Sequence, residues 1–104
     1  MATEFTSETF NSQVVKGKGI AVVDFWAPWC GPCKMMGPVF EEMSHHYDDL
    51  TFGKVNVDEL GDISGKFDVQ SIPTVIFFKD GKEVHRTMGF MQKEQFMEEI
   101  DKVL

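Results

Sequence analysis

Cys30 and Cys33 are the residues whose type and spacing most directly indicate chemistry. They are the only two cysteines in the sequence, and Gly31 and Pro32 stand between them. A disulfide that closes so short a loop would restrict the unfolded chain little, so stability is a weak reason for the pair. A thiolate, by contrast, attacks disulfides and exchanges with them. The spacing therefore predicts a site of dithiol–disulfide exchange.

The motif stands where a predicted strand ends and a predicted helix begins. Unpaired N–H groups and the helix dipole favour negative charge there, so we expect Cys30 to be an exposed thiolate nucleophile. Cys33 lies one helical turn further along the same side and is expected to resolve the mixed disulfide formed at Cys30. No histidine stands between the cysteines, where its positive charge would make the pair a stronger oxidant. This absence favours a reductant over an oxidant or an isomerase.

Three other interpretations of the cysteines compete with this one. Half of a zinc site, completed by His45 and His46, is disfavoured because adjacent side chains on a helix point about 100° apart. A pair of unreactive core cysteines is disfavoured because Cys30, between Trp29 and Gly31 at a helix start, is not in a core environment. A binding subunit that uses the fold only as a scaffold is the third alternative, and a Cys30→Ser variant would separate it from a reductase.

The elements that must position these residues alternate between strands and helices within one predicted domain, residues 1–104. Patterning and turn residues predict helix 7–16, strand 20–26, helix 30–47, strand 51–57, helix 60–67, strands 74–79 and 83–88, and helix 92–104. Strand 20–26 is apolar without alternation, which is typical of a strand covered on both faces. Asp80 and Gly81 are a two-residue hairpin signal. We therefore expect an α/β fold with a mixed β-sheet and helices on both faces.

Several residues give finer predictions about these helices. Ser7 is expected to cap the first helix, and Gly37-Pro38 to kink the second. Phe96, Ile100 and Leu104 share one face of the last helix by their four-residue spacing. Four methionines are predicted to fill the core under the helices: Met35, Met36, Met43 and Met97.

Asp24 is the one charged residue in the apolar strand 20–26. It is buried if both faces of the strand are covered, and solvated if it lies at a sheet edge, and the pattern leaves both open. Burial raises the pKa of a carboxyl group and would suit Asp24 to accept the proton of Cys33. Lys54, on the neighbouring predicted strand, would moderate the cost of that burial.

A substrate-facing surface is predicted around the cysteines. Its expected members are Trp29, Gly31, Pro32, Ile72, Pro73 and Gly89. Gly31 and Gly89 lack side chains that would block an approaching partner, and Met88 and Met91 lie near enough to touch one. Pro73 stands at a strand start, where a cis peptide bond after Ile72 and an ordinary trans bond are both open, and the pattern alone favours trans. Such an apolar surface would bind extended protein segments without strong sequence preference.

Charge and composition exclude some functions. Seventeen acidic against ten basic residues give a net charge of −7, so we expect no binding to nucleic acid or to an anionic membrane. The start of the sequence lacks the charged and apolar regions of a signal peptide, which favours a cytoplasmic location. We expect a monomer.

Over its whole length the sequence resembles the thioredoxin family. The matching landmarks are Asp24-Phe25-Trp26-Ala27-Pro28-Trp29-Cys30-Gly31-Pro32-Cys33-Lys34, Pro38, Lys54, Asp58, Ile72-Pro73-Thr74, Asp80-Gly81 and Gly89. A lone pair of cysteines two residues apart is weak evidence, but its combination with the preceding Asp-Phe-Trp and a later Ile-Pro-Thr is strong. The resemblance implies the thioredoxin fold, with about five strands and about four helices.

The same resemblance implies an enzymatic role in electron transport and cell redox homeostasis. Its redox-active disulfide would be Cys30–Cys33, Pro73 would be cis, and Asp24 would be a buried proton acceptor for Cys33 with Lys54 as its neighbour. The protein would bind no cofactor. It would take electrons from NADPH or ferredoxin through a thioredoxin reductase. Clients would include ribonucleotide reductase, peroxiredoxins and methionine sulfoxide reductases.

Overall fold

A computed structural model of the chain describes residues 2–104 and has alternating strands and helices. In chain order the elements are β1 (Thr3–Glu4), α1 (Ser7–Phe10) with a π-helical turn (Asn11–Val15), β2 (Ile20–Trp26), α2 (Gly31–His46), β3 (Thr51–Asn56), α3 (Gly61–Lys66), β4 (Thr74–Lys79), β5 (Lys82–Met88) and α4 (Lys93–Asp101). The described residues thus form a five-stranded mixed sheet with four α-helices, as the resemblance implied. This is the thioredoxin fold.

The order of the strands in the sheet is β1-β3-β2-β4-β5. Strands β1 and β2 pair with β3 in parallel, while β4 is antiparallel to β2 and to β5. The β4–β5 hairpin turns at Asp80 and Gly81, whose φ angles of 51° and 85° are the positive values that a tight hairpin turn of this kind requires. Strand β2 therefore lies in the interior of the sheet, and its carboxyl end leads directly to the cysteine motif.

Apolar side chains cover both faces of the sheet. The core on the α1 and α3 side consists of Phe5, Phe10, Val14, Ala21, Val23, Phe25, Val55, Ile63, Ile76 and Phe78. The core on the α2 and α4 side consists of Val22, Met36, Phe40, Met43, Phe52, Val75, Phe77, Met91, Phe96 and Ile100. Successive residues of β2 alternate between these cores, which explains why its sequence is continuously apolar.

Three local predictions about the helices are wrong. Thr6, not Ser7, caps α1, because its Oγ1 accepts the Thr9 N–H at 3.1 Å while the Thr9 Oγ1 accepts the Thr6 N–H at 2.8 Å. The first helix is a single α-helical turn followed by the π-helical turn rather than one α-helix. Leu104 lies beyond the end of α4 and is exposed, whereas Phe96 and Ile100 are buried as predicted.

Helix α2 continues through Pro38, and the kink there stays a prediction. Gly37, just before that proline, offers a direct test of how well α2 is optimised. We expect Gly37→Ala to raise the free energy of unfolding by about 0.5 kcal/mol, because glycine is the less favourable residue inside a helix. A Cβ at this position would meet only the Lys54 Nζ, at 4.0 Å, which is ordinary contact. Crowding of that Cβ by the Pro38 ring keeps the expected gain small.

Urea unfolding of the Gly37→Ala variant measures this gain. The matched control is Gly53→Ala in β3, which should destabilise because a Cβ there would overlap the ring of Phe5. A Gly37→Ala variant less stable than the parent would show that α2 needs a glycine before Pro38.

Candidate functional site

Cys30 is the N-cap residue of α2. Its extended backbone, with φ −89° and ψ 113°, turns the chain from β2 into the helix, and Pro32 occupies the first helical turn, where its missing N–H costs nothing. The backbone N–H of Cys33 donates a hydrogen bond to the Cys30 Sγ at 3.2 Å. A sulfur in this position receives a donor from the unpaired N–H groups of the helix start, and this arrangement stabilises negative charge on it.

The sulfur atoms of Cys30 and Cys33 are joined by a disulfide, with the two Cα atoms 5.2 Å apart. One helical turn of spacing therefore brings the cysteines together, as predicted. The prediction that Cys30 is exposed is wrong, since only 5% of the residue is accessible. Ala27 and Cys33 pack against it, and its Sγ lies 3.8 Å from the carbonyl oxygen of Ile72. A partner must therefore approach the sulfur at close range.

Asp24 is fully buried in β2, on the face covered by α2. Neither of its carboxylate oxygens has a hydrogen-bond partner among the described residues. The pKa of Asp24 is raised from 3.8 to about 7: burial is the largest cause, the positive charge of Lys54 opposes it, and the negative charge of Glu4 adds to it. A buried carboxyl that titrates near neutrality is suited to accept and release a proton at physiological pH.

Lys54 is aligned with Asp24 across the parallel pairing of β2 and β3. Its ammonium lies 4.6 Å from the centre of the Trp26 ring, where it makes a cation–π contact. It forms no ion pair within 4.0 Å among residues 2–104. Lys54 is thus a near neighbour of the buried carboxyl, as predicted, but its charge rests on the indole ring.

A cleft of about 270 Å³ opens beside the disulfide. Its lining residues are Trp29, Val57, Ser64, Val69, Gln70, Ser71 and Ile72. The Ile72–Pro73 peptide bond at one side of the cleft is cis, as the resemblance implied. Trp29 is 68% exposed, and its indole N–H donates to a carboxylate oxygen of Asp58 at 3.0 Å. The cleft therefore combines an apolar wall with neutral polar groups.

The predicted surface residues differ in their accessibility. Ile72 is half-buried, and Pro73 is buried, so the prediction that Pro73 lies on an accessible surface is wrong. Pro32, Gly31 and Gly89 are exposed near the cysteines or at the end of β5, and Met88 is exposed beside them. Met91 is buried and packs under α4, so its predicted partner contact is wrong.

Among the predicted core methionines, Met36, Met43 and Met97 do pack in the core, but Met35 is exposed, because it points away from the sheet one residue before Met36.

The sequence did not reveal three contributors to this site. Glu4 accepts a hydrogen bond from the Trp26 indole at 2.9 Å, and its negative charge raises the pKa of Asp24. It lies in a two-residue strand, which is too short to show a sequence pattern. Asp58 was noted only as a landmark, and its role is to hold Trp29. Gln70, which lines the cleft, is held by a hydrogen bond to Asp68 at 3.0 Å. Only the pairing of distant segments brings these residues to the site.

Within residues 2–104, no group of three or more histidine, cysteine, aspartate or glutamate side chains is arranged to hold a metal ion. His45 and His46 lie at the opposite end of α2 from the cysteines, about 20 Å away along the helix. No helix of the described part of the chain is long and apolar enough to cross a membrane.

Comparisons with known proteins identify similar sequences. The model of the family described as Thioredoxin matches residues 1–102. The chain is 45% identical over 93 residues to a thioredoxin of Mycoplasmoides gallisepticum, which covers 89% of this chain and 93% of that protein. It is 43% identical over 100 residues to a thioredoxin of Bacillus subtilis, covering 95% and 94% of the two chains. It is 46% identical over 90 residues to thioredoxin-2 of Saccharomyces cerevisiae, covering 86% of each.

Proposed function

Because the chain belongs to the thioredoxin family, we propose specific roles for the residues around its cysteines. The chain is a thiol–disulfide oxidoreductase that reduces protein disulfides. In our proposal Cys30 is the nucleophile, Cys33 the resolving thiol and Asp24 the proton acceptor, with Lys54 modulating Asp24. The observation that carries the proposal is the position of the Cys30 sulfur at the N-cap of α2, where it accepts the Cys33 N–H.

The first step of the proposed reaction forms a mixed disulfide. The Cys30 thiolate attacks one sulfur of a client disulfide, a new S–S bond forms to Cys30, and the other client sulfur leaves as a thiolate. The hydrogen bond from the Cys33 N–H stabilises the attacking charge before this bond forms. Because Cys30 is buried, the client must come close to Ile72 to reach the sulfur, and the neighbouring cleft with the exposed Trp29 supports recognition of extended segments.

The second step releases the client. Cys33 loses its proton to Asp24, directly or through a water, and the resulting thiolate attacks the Cys30 sulfur. The Cys30–Cys33 disulfide forms, and the second client sulfur departs as a thiolate. Over the two steps the client gains two electrons, and its two thiolates then take up protons. The burial of Asp24 and its pKa of about 7 support this role, because the carboxylate form is available at neutral pH.

Client binding is assigned in the proposal to the surface around the cysteines. Its members are Trp29, Gly31, Pro32, Ile72, Pro73 and Gly89. Trp29 supplies an exposed apolar face that Asp58 holds in position. The exposed glycines leave room for the backbone of a partner.

The electron balance of the proposed reaction requires an electron donor as well as a client. Each cycle consumes two electrons, so a reductase must restore the dithiol, and we propose a thioredoxin reductase supplied by NADPH or ferredoxin. Ribonucleotide reductase, peroxiredoxins and methionine sulfoxide reductases are the proposed clients, since each forms a disulfide when it turns over. We propose a cytoplasmic monomer formed by a single domain, residues 1–104, with no bound cofactor.

An equilibrium redox titration of Cys30 and Cys33 against a dithiothreitol buffer tests the proposal. We expect a reduction potential well below that of the glutathione pool, so that the dithiol form is a net donor of electrons to protein disulfides. Quantifying free thiols at each point reports the fraction of the dithiol form. A markedly more oxidising potential would assign the protein to disulfide formation or isomerisation instead.

A further inference from the structure

Three charged residues lie abreast on three neighbouring strands. Glu4 of β1 is aligned with Lys54 of β3, and Lys54 is aligned with Asp24 of β2. Aligned residues of adjacent strands point to the same face of a sheet, so all three side chains are on the α2 side. The strand order puts Lys54 in the middle, and with strands about 4.8 Å apart the two acidic residues are separated by roughly 10 Å at the backbone. One ammonium therefore has a carboxylate on either side.

The indole ring of Trp26 links Glu4 to Lys54, the middle residue of this row. Its N–H donates to a Glu4 carboxylate oxygen at 2.9 Å, and its face carries the Lys54 ammonium at 4.6 Å from the ring centre. Glu4 thereby fixes the ring on which the ammonium rests. The ammonium lies over this ring and makes no ion pair within 4.0 Å with Asp24, and both Asp24 oxygens are left without a hydrogen-bond partner among residues 2–104.

We propose that Glu4 is a positioning residue for the proton transfer: it holds Trp26, draws the charge of Lys54 away from Asp24, and so makes Asp24 a stronger proton acceptor. The inference rests on the proposed role of Asp24 toward Cys33. It extends that role to a residue of the edge strand β1, which has only two residues.

The surroundings of Asp24 contain few other charges that would produce the same effect. Its aligned neighbour on β4 is the uncharged Val75. On α2, Gly37 lies near the Lys54 ammonium and has no side chain that could carry a charge. Cys33 is the buried residue of α2 that can ionise once the disulfide is reduced. The negative charge of Glu4 acts to raise the pKa of Asp24, opposing Lys54, in agreement with the geometry. Glu4 is exposed, so solvent screens its charge and the expected effect is modest.

The test compares Glu4→Gln with the parent in the oxidised form, using carboxyl-carbon NMR to follow the titration of Asp24. Glutamine keeps an oxygen that accepts the indole N–H, so this variant removes the charge and retains the contact. We expect the titration midpoint of Asp24 to fall by about half a pH unit, as a screened charge at roughly 10 Å predicts. Glu8→Gln, an exposed acid on α1, is the matched control and should leave the midpoint unchanged.

A midpoint that stays in place or rises in Glu4→Gln would overturn the inference, whatever the protein's catalytic role. The oxidised form does not turn over, so this result is independent of activity. The pH profile of the resolving step, measured by release of a client from its mixed disulfide, should move down with the midpoint. If the Asp24 midpoint falls but the rate profile does not follow, Asp24 is not the proton acceptor, and the role given to Glu4 is overturned with it.

Discussion

A Cys30→Ser variant is expected to reduce protein disulfides at least about a thousandfold more slowly than the parent, down to the background rate. A serine hydroxyl at the N-cap of α2 still accepts the Cys33 N–H, so the helix start is preserved. It does not ionise near neutral pH and cannot form a disulfide with a client. Reduction of insulin, followed by precipitation of its released chains, measures this loss.

The matched control is Cys33→Ser, which separates the two proposed steps. It retains the nucleophile and should form a mixed disulfide with one client molecule, visible as a covalent adduct that reducing agents dissolve. It should not release the client, because the resolving thiol is missing. If Cys33→Ser formed no adduct while Cys30→Ser did, the roles of the cysteines would have to be exchanged. A Cys30→Ser variant that kept its biological role would favour a scaffold function.

The central elements could be predicted from the sequence because their signals are local and strong. Strand β2 matches its predicted bounds at both ends, since a run of seven residues rich in β-branched and aromatic side chains has few other stable conformations. The β4–β5 hairpin was indicated by Asp80-Gly81, which supplies the two positive φ angles. The start of α2 was indicated by the Cys30-to-Pro32 segment, because a proline in the first helical turn loses no backbone hydrogen bond and is therefore common there.

Elements that depend on tertiary pairing could not be predicted. Strand β1 consists of Thr3 and Glu4, and it exists only because β3 offers it unpaired backbone groups. No two-residue pattern identifies such a strand. The π-helical turn at Asn11–Val15 likewise has no compositional signal, and the end of α4 before Leu104 reflects fraying of the last turn.

The candidate site shows the same division between local and distant information. The disulfide between Cys30 and Cys33 follows from helical spacing, which is local. The burial of Asp24 depended on whether β2 is central, which the pattern left open and the strand order settles. The burial of Cys30 depends on Ile72, about forty residues away, so its exposure was predicted wrongly.

The pH dependence of stability is the second large expected effect, and it comes from Asp24. In the folded protein its pKa is about 7, and in the unfolded chain it is near the ordinary value of 3.8. Between these two values the folded state holds a proton that the unfolded state has lost, so stability must fall as the pH rises. The loss amounts to about 1.4 kcal/mol per pH unit, or roughly 4 kcal/mol in total once the pH exceeds the folded pKa.

Asp24→Asn removes this dependence, because an amide carries no charge at any of these pH values. We expect the variant and the parent to be about equally stable near pH 3.5, and the variant to be more stable by roughly 4 kcal/mol at pH 8.5. Urea unfolding of the oxidised proteins across this range measures the difference. Asp49→Asn, an exposed acid, is the control and should follow the parent at every pH.

The same substitution should slow catalysis, which ties the stability cost to a function. Without a carboxylate to accept the Cys33 proton, release of the client is expected to be at least about tenfold slower at pH 7, while formation of the mixed disulfide at Cys30 stays unchanged. If the stability curves of Asp24→Asn and the parent ran parallel, the pKa of Asp24 would not be raised in the folded protein. If stability rose as expected and client release kept its rate, the burial of Asp24 would stand and its role as proton acceptor would fall.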